Sequence, residues 1–198
     1  MRALRDMNMP KFVFDDVPLF YGLITDLFPG LKAERVGYED LKERIVDELE
    51  EKKMKHNDEA VFEDQVNKVM QLFETIGTRH TTMVVGPTGA GKSVLINTLA
   101  NALVKDSDIP TVIQTINPKA ITQDELYGVL DPDSRDWTDG LLSKIFKEMN
   151  KPMTPDMKET RNWIIYDGDV DAIWVENMNS VMDDNRILTL TNGDRITL

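Results

Sequence analysis

Residues 86–93 read Gly86-Pro87-Thr88-Gly89-Ala90-Gly91-Lys92-Ser93, an ungapped G-x-x-x-x-G-K-[ST], with the strand-like run TTMVV (81–85) before it and SVLINTLANALV (93–104) after it. Strand, glycine turn and helix in that order restrict the fold to an α/β sheet with its phosphate site at a strand's carboxyl end. The chemistry explains the residue types. A glycine-rich turn lets backbone N–H groups wrap a β-phosphate at a helix N-terminus, where the helix dipole favours negative charge. Lys92 has the reach for the β- and γ-phosphates, and Ser93 carries the hydroxyl for Mg²⁺. All eight residues are therefore expected to bind a nucleoside triphosphate, and the flanking strand and helix make a chance glycine-rich match the weaker explanation.

The rest of the chain changes pattern around residue 78. Before it, MRALRDMN reads as the closing turns of a helix that began earlier, stopped by Pro10, and DVPLFYGLITDLFPG (16–30) as a short amphipathic helix closed by Pro29-Gly30. YEDLKERIVDELEEKK (38–53) places Leu41, Ile45 and Leu49 on one face, and FEDQVNKVMQLFETIG (62–77) does the same with Phe62, Val66, Val69, Met70, Phe73 and Ile76. The acidic run between these stripes reads as a solvated face. After residue 78, strands alternate with helices: TTMVV, a helix to Val104, TVIQTI (111–116), LLSKIFKEM (141–149) and WIIY (163–166). The expected organisation is a helical segment over 1–78 and a P-loop, parallel-sheet α/β core over 79–198. RILTLTNGDRITL closes with a hairpin around Asn192-Gly193.

Charge and composition narrow the partners. A net charge of −12 argues against nucleic acid and anionic membrane surfaces, which demand a cationic face. No cysteine is present, so a disulfide framework and Cys-ligated zinc are ruled out, and a reducing intracellular compartment fits. The two histidines, His56 and His80, leave little for a histidine metal site. No apolar run has bilayer length and MRALRDMNMPKF lacks a signal peptide's apolar core, so a soluble chain is expected.

A P-loop enzyme also needs a carboxylate at the end of a neighbouring strand to hold the Mg²⁺ shell, and Trp163-Ile164-Ile165-Tyr166-Asp167 has that form. Hydrolytic members of the AAA+ class carry Glu next, to activate the attacking water, whereas this chain has Gly168. No catalytic base stands in the usual place. Asp169 is the candidate substitute, provided a turn at Gly168 re-aims it, while Glu176 lies too far along without a fold-back. The simpler assignment is that Asp169, Asp171 and Glu176 cap and solvate a turn and the helix beyond it. The D-x-D-x-D spacing of Asp167, Asp169 and Asp171 does not make a Ca²⁺ loop, because Ala172 and Met178 stand where Gly and Glu are needed. Trp137, Trp163 and Trp174 read as packing residues rather than base-stacking platforms.

Four stretches in order carry a resemblance: MRALRDMNMPKFVFDDVPLFYGLITDLFPG, GPTGAGKSVLINTLANAL, INPKAITQDELYGVLDPDSRDWTDGLLSKIF and WIIYDGDVDAIWVENMNSVMDDNRILTLTNGDRITL. They resemble dynein heavy chains, at the end of the first AAA+ module and the large subdomain of the second, with wording nearer axonemal than cytoplasmic dyneins and leaning to an inner-arm type. The resemblance implies a six-module ring within one heavy chain, part of a minus-end microtubule motor of the cytoskeleton in the ciliary axoneme and cytoplasm. Its implied partners are neighbouring modules, intermediate and light chains, and microtubules. The resembling module binds ATP firmly and hydrolyses it poorly, in keeping with Asp167-Gly168. Carried over, Gly86, Gly89, Gly91, Lys92 and Ser93 contact phosphate and Mg²⁺, Asp167 joins the metal shell, and Phe28 and Pro29 approach the base. The 198 residues lack the sensor-I strand, the helical lid and the neighbour-reaching arginine expected of a complete module.

Three alternatives remain beside a structural nucleotide site. One is a catalytic ATPase with Asp169 as base and an arginine supplied by a neighbour. A small-molecule kinase would need an arginine-bearing lid and an acceptor pocket, neither of which is visible. An adaptor with a relic P-loop sits poorly with intact Lys92 and Ser93.

Overall fold

Apolar residues at helical spacing build the first half of the chain. The computed structural model describes residues 2–30, 38–152 and 159–198, in two compact units, Met1–Asp108 and Ile109–Leu198. The first unit contains α1 (Arg2–Asn8), α2 (Val17–Leu27), α3 (Glu39–Glu51), α4 (Glu59–Thr78) and α5 (Lys92–Ser107). The side chains expected on one face of α3, namely Leu41, Ile45 and Leu49, are buried, as are Phe62, Val66, Val69 and Met70 of α4. Leu99, Ala102 and Leu103 of α5 are buried too, and α5 packs on both α3 and α4. That packing makes α5 part of the helical unit, so the compact units divide after Asp108, later than the change of pattern at 78/79. Asp58 starts α4 as an N-cap, its carboxylate accepting from the Ala60 and Val61 N–H groups.

Two charged side chains of this unit are buried among the described residues, Arg5 and Glu48. Glu48 is 3% exposed. Its carboxylate takes Lys52 Nζ at 2.6 Å, from the residue that ends its own helix, and Lys105 Nζ at 2.9 Å from α5, and accepts from Asn101 Nδ2 at 2.8 Å. Burial alone would raise the carboxyl pKa, but the hydrogen bonds from Lys105, Lys52 and Asn101 outweigh it and hold the pKa below the ordinary range.

Residues 81–87 depart from expectation, since the run TTMVV forms no strand. An apolar run becomes a strand through a neighbour that accepts its N–H groups. Among the described residues this run has no such backbone partner, and Met83 and Val85 are 59% and 88% exposed.

The second unit is built on β1 (Thr111–Ile116) and β4 (Arg161–Tyr166), paired in parallel from Thr111↔Arg161 to Ile116↔Tyr166. Between them run α6 (Gln123–Tyr127), the antiparallel hairpin β2 (Gly128–Leu130) and β3 (Trp137–Asp139), and α7 (Leu141–Met149). After β4 come α8 (Ala172–Met182) and a hairpin of β5 (Ile187–Thr189) with β6 (Arg195–Thr197), closed through Asn192-Gly193 as expected. Leu126, Leu142, Phe146, Trp174, Met178 and Leu188 form the centre of this core. Tyr127 donates from Oη to the Trp174 carbonyl at 2.8 Å, and burial pushes its phenol up to about 12. Trp174 is buried, and Trp137 and Trp163 are half-buried. Gly140 is required where α6, β2 and α7 meet: a Cβ there would stand 2.5 Å from the Gly128 nitrogen. No described helix is long and apolar enough to cross a membrane.

The Glu48 network yields a prediction. Glu48→Gln leaves two lysines facing an uncharged amide, and loss of charged hydrogen bonds of this kind costs about 2 kcal/mol. Because the folded-state pKa lies below the unfolded one, the carboxylate's contribution is complete above the ordinary carboxylate range and disappears as pH falls through the folded value. Urea unfolding should show the variant less stable at neutral pH, with the difference from wild type shrinking in acid.

Candidate functional site

The phosphate-loop residues sit together in the first unit. Gly89 and Gly91 have φ of +84° and +81°, the left-handed region that glycine enters without a Cβ penalty. Ala90 N–H closes a turn on the Pro87 carbonyl at 3.2 Å, and Leu95 N–H reaches the Gly91 carbonyl at 2.9 Å, which starts α5. The N–H groups of Gly89, Gly91, Lys92 and Ser93 have no backbone acceptor among the described residues, and no side chain caps α5. Free donors at a helix start are the kind of group that suits an anion. Lys92 folds over the loop, donating from Nζ to the Gly86 carbonyl at 2.8 Å and the Pro87 carbonyl at 2.9 Å. Ser93 is exposed. A cavity of 250 Å³ beside it, lined by Lys52, Asn97 and Asn101, is smaller than a typical nucleotide pocket.

Asp167 belongs to the second unit, at the carboxyl end of β4. Its N–H continues the parallel ladder, donating to the Ile116 carbonyl at 2.8 Å. Its side chain is exposed and makes no hydrogen bond or ion pair among the described residues, which leaves the carboxylate available to a cation. An exposed carboxylate of this kind is an oxygen donor of the sort that Mg²⁺ takes.

Aromatic contacts fix the turn after Asp167. Tyr166 stacks on Trp174, ring centroids 5.4 Å apart, and burial raises the Tyr166 phenol. Trp174 Nε1 donates to the Asp169 carbonyl at 3.3 Å. Asp171 caps α8, accepting from the Ile173 and Trp174 N–H groups. Asp169 turns towards Lys119, whose Nζ lies 3.4 Å from its carboxylate. With the Asp169 side chain 89% exposed, this is a surface pair worth ~0.2–1 kcal/mol. Glu176 is exposed on α8.

Sequence reasoning passed over Asn117. Its Oδ1 accepts from the Lys119 N–H at 3.1 Å, and an ideal Cβ on Gly168 would stand 3.0 Å from the same oxygen and 3.7 Å from Pro118 Cδ. Asn-Pro directly after a strand signalled a turn, but nothing in the linear order placed it beside Gly168. Thr122-x-x-Glu125 forms a capping box at the start of α6. In the structure Thr122 Oγ1 accepts from Glu125 N–H while the Glu125 carboxylate accepts from Thr122, which holds the Glu125 pKa down.

The loop geometry predicts a conformational cost that is free of steric clash. A Cβ on Gly91 meets nothing within 4 Å, so Gly91→Ala should lower stability by about 1–2 kcal/mol through its left-handed backbone alone. Gly91→Asn should cost less. Chemical denaturation of both variants tests the order.

Comparison with known proteins gives the family. The AAA domain of the dynein-related subfamily matches residues 81–198, and the family described as the hydrolytic ATP binding site of the dynein motor region matches residues 1–93. The whole chain aligns with human dynein axonemal heavy chain 10 at 63% identity over 198 residues. It aligns with the 1-alpha heavy chain of the flagellar inner arm I1 complex of Chlamydomonas reinhardtii at 60%, and with the outer-arm gamma chain of that organism at 46%. It spans about 4% of the length of each of these relatives. The P-loop, the Asp167 strand end and these matches together show that the chain belongs to the dynein-related subfamily of AAA domains, with axonemal dynein heavy chains as its relatives.

Proposed function

We propose that this chain is an ATP-binding AAA+ module of an axonemal dynein heavy chain, part of a ciliary microtubule motor, in which Mg-ATP serves largely as a structural or regulatory ligand. The observation that carries the reading is Asp167 followed by Gly168. Hydrolysis needs a carboxylate that takes a proton from water while the water oxygen attacks the γ-phosphorus and the bond to the β-phosphate bridging oxygen breaks, releasing ADP. Residue 168 carries no such group. Binding makes no comparable demand: Gly86, Pro87, Thr88, Gly89, Ala90, Gly91, Lys92 and Ser93 cradle the phosphates, and Ser93 and Asp167 supply ligands to Mg²⁺. ATP held between this module and its ring neighbours stabilises them, by about 2.7 kcal/mol at one hundred times Kd. Microtubules and dynein intermediate and light chains are partners of the whole heavy chain.

A second reading is a working ATPase with Asp169 as base and an arginine from a neighbouring module. It would need Asp169, exposed one residue past Gly168, to reach a water. The ion pair of Asp169 with Lys119 weighs against it.

Rapid gel filtration after incubation with excess Mg-ATP separates the readings. Wild type should retain unhydrolysed ATP at near one per chain, and Lys92→Ala should retain none. Conversion to ADP by wild type, abolished by Asp169→Asn, would favour the second reading instead.

A further inference from the structure

The β5–β6 hairpin carries a reactive pair of residues. Asn192 is the single asparagine in the sequence that is followed by glycine. At such a step no side chain on the second residue shields its nitrogen from the asparagine amide, and the permissive backbone lets the two meet. Asp139-Gly140 and Asp167-Gly168 share the glycine, but a carboxylate must gain a proton before a nitrogen can displace its oxygen, and an amide need not.

Hydrogen bonds hold the pair in the folded turn. Leu190 N–H reaches the Asp194 carbonyl at 2.9 Å, which leaves Thr191, Asn192 and Gly193 as a three-residue loop. Gly193 is its left-handed residue, at φ +92°, and its N–H donates to the Leu190 carbonyl at 3.0 Å. Asn192 Oδ1 accepts from the Asp194 N–H at 2.9 Å, and Asn192 Nδ2 donates to Asp194 Oδ2 at 2.8 Å. Asp194 therefore grips both atoms of the amide. Lys147 Nζ of α7 lies 3.8 Å from the same Oδ2.

We infer that Asn192-Gly193 is a self-modification site, deamidated through a succinimide, and that Asp194 is the lock that holds it off in the folded hairpin. In the reaction the Gly193 nitrogen gives its proton to hydroxide and bonds to Asn192 Cγ. The Cγ–Nδ2 bond then breaks, and the nitrogen takes a proton from water and leaves as ammonia. A second water opens the ring at either carbonyl, giving aspartate or isoaspartate. The turn opposes the first step twice, because the proton rests on Leu190 and the amide is fixed by Asp194. Isoaspartate adds a methylene to the main chain of a three-residue loop, and either product sets a second carboxylate beside Asp194, so modification loosens β5 from β6.

Incubating the full chain at mildly alkaline pH and following its peptides by mass spectrometry tests both parts. In guanidinium, wild type should exchange ammonia for water at residue 192 faster than at any other asparagine. Folded wild type should react there at least roughly tenfold more slowly, as a site that must open locally does. Folded Asp194→Ala should lose most of this protection, and Asp194→Asn, whose side-chain oxygen still accepts from Nδ2, should keep it. All three chains should react alike when unfolded. The wild-type comparison needs no variant to fold, and equal rates in the folded and unfolded chain would overturn the lock. So would a folded Asp194→Ala chain as slow as wild type, while an unfolded chain that reacts elsewhere before residue 192 would overturn the site.

Discussion

Parallel pairing of β1 with β4 is the constraint on which the second unit depends. Six residue pairs run from Thr111↔Arg161 to Ile116↔Tyr166, and one further bond, from Asp167 N–H to the Ile116 carbonyl, carries the ladder past the strand end. A parallel pair needs a long crossover, and α6, the β2–β3 hairpin and α7 provide it. The hydrophobic core forms where Ile116 meets residues of α6, α7 and α8. The same ladder sets Asp167 at a sheet's carboxyl end, the place where open α/β sheets present their ligands.

A second tier of contacts converts that placement into a fixed turn. Trp174 stacks on Tyr166 just before the aspartate, bonds the Asp169 carbonyl just after it, and receives Tyr127 at its own carbonyl. Lys147 plays a comparable part at the surface. It reaches Asp139 of β3 at 2.6 Å and Asp194 of the β5–β6 turn at 3.8 Å, and with Trp137 it holds the Asp139 carboxyl below its usual range. In the helical unit Glu48 does this work from inside the core, where Lys52 at the end of α3, Lys105 of α5 and Asn101 together keep a carboxylate charged.

What could be read from the linear order follows the range of the interactions. The helices around Ile45, Val69 and Phe146, the strand TVIQTI and the hairpin at Asn192-Gly193 are local patterns, and each was legible. The glycine turn before α5 was legible because its glycines act on their own backbone. TTMVV failed as a strand because a strand is a property of two segments, and composition describes one. The β2–β3 hairpin escaped notice since its connection, DPDSRD, carries no Asn-Gly or Asp-Gly signal and its closure depends on Gly140 fitting against the Gly128 nitrogen. The approach of Asn117 to Gly168 was invisible for the same reason: strand register brings the two together.

The folded-back Lys92 changes how occupancy of the loop should be understood. Its ammonium rests on two carbonyls of its own loop, so any anion that drew Lys92 to itself would exchange contacts instead of adding them. The gain would be the difference between two arrangements of one charge, and a ligand that engaged the lysine and the free N–H groups together would recover more of it than one that met the lysine alone.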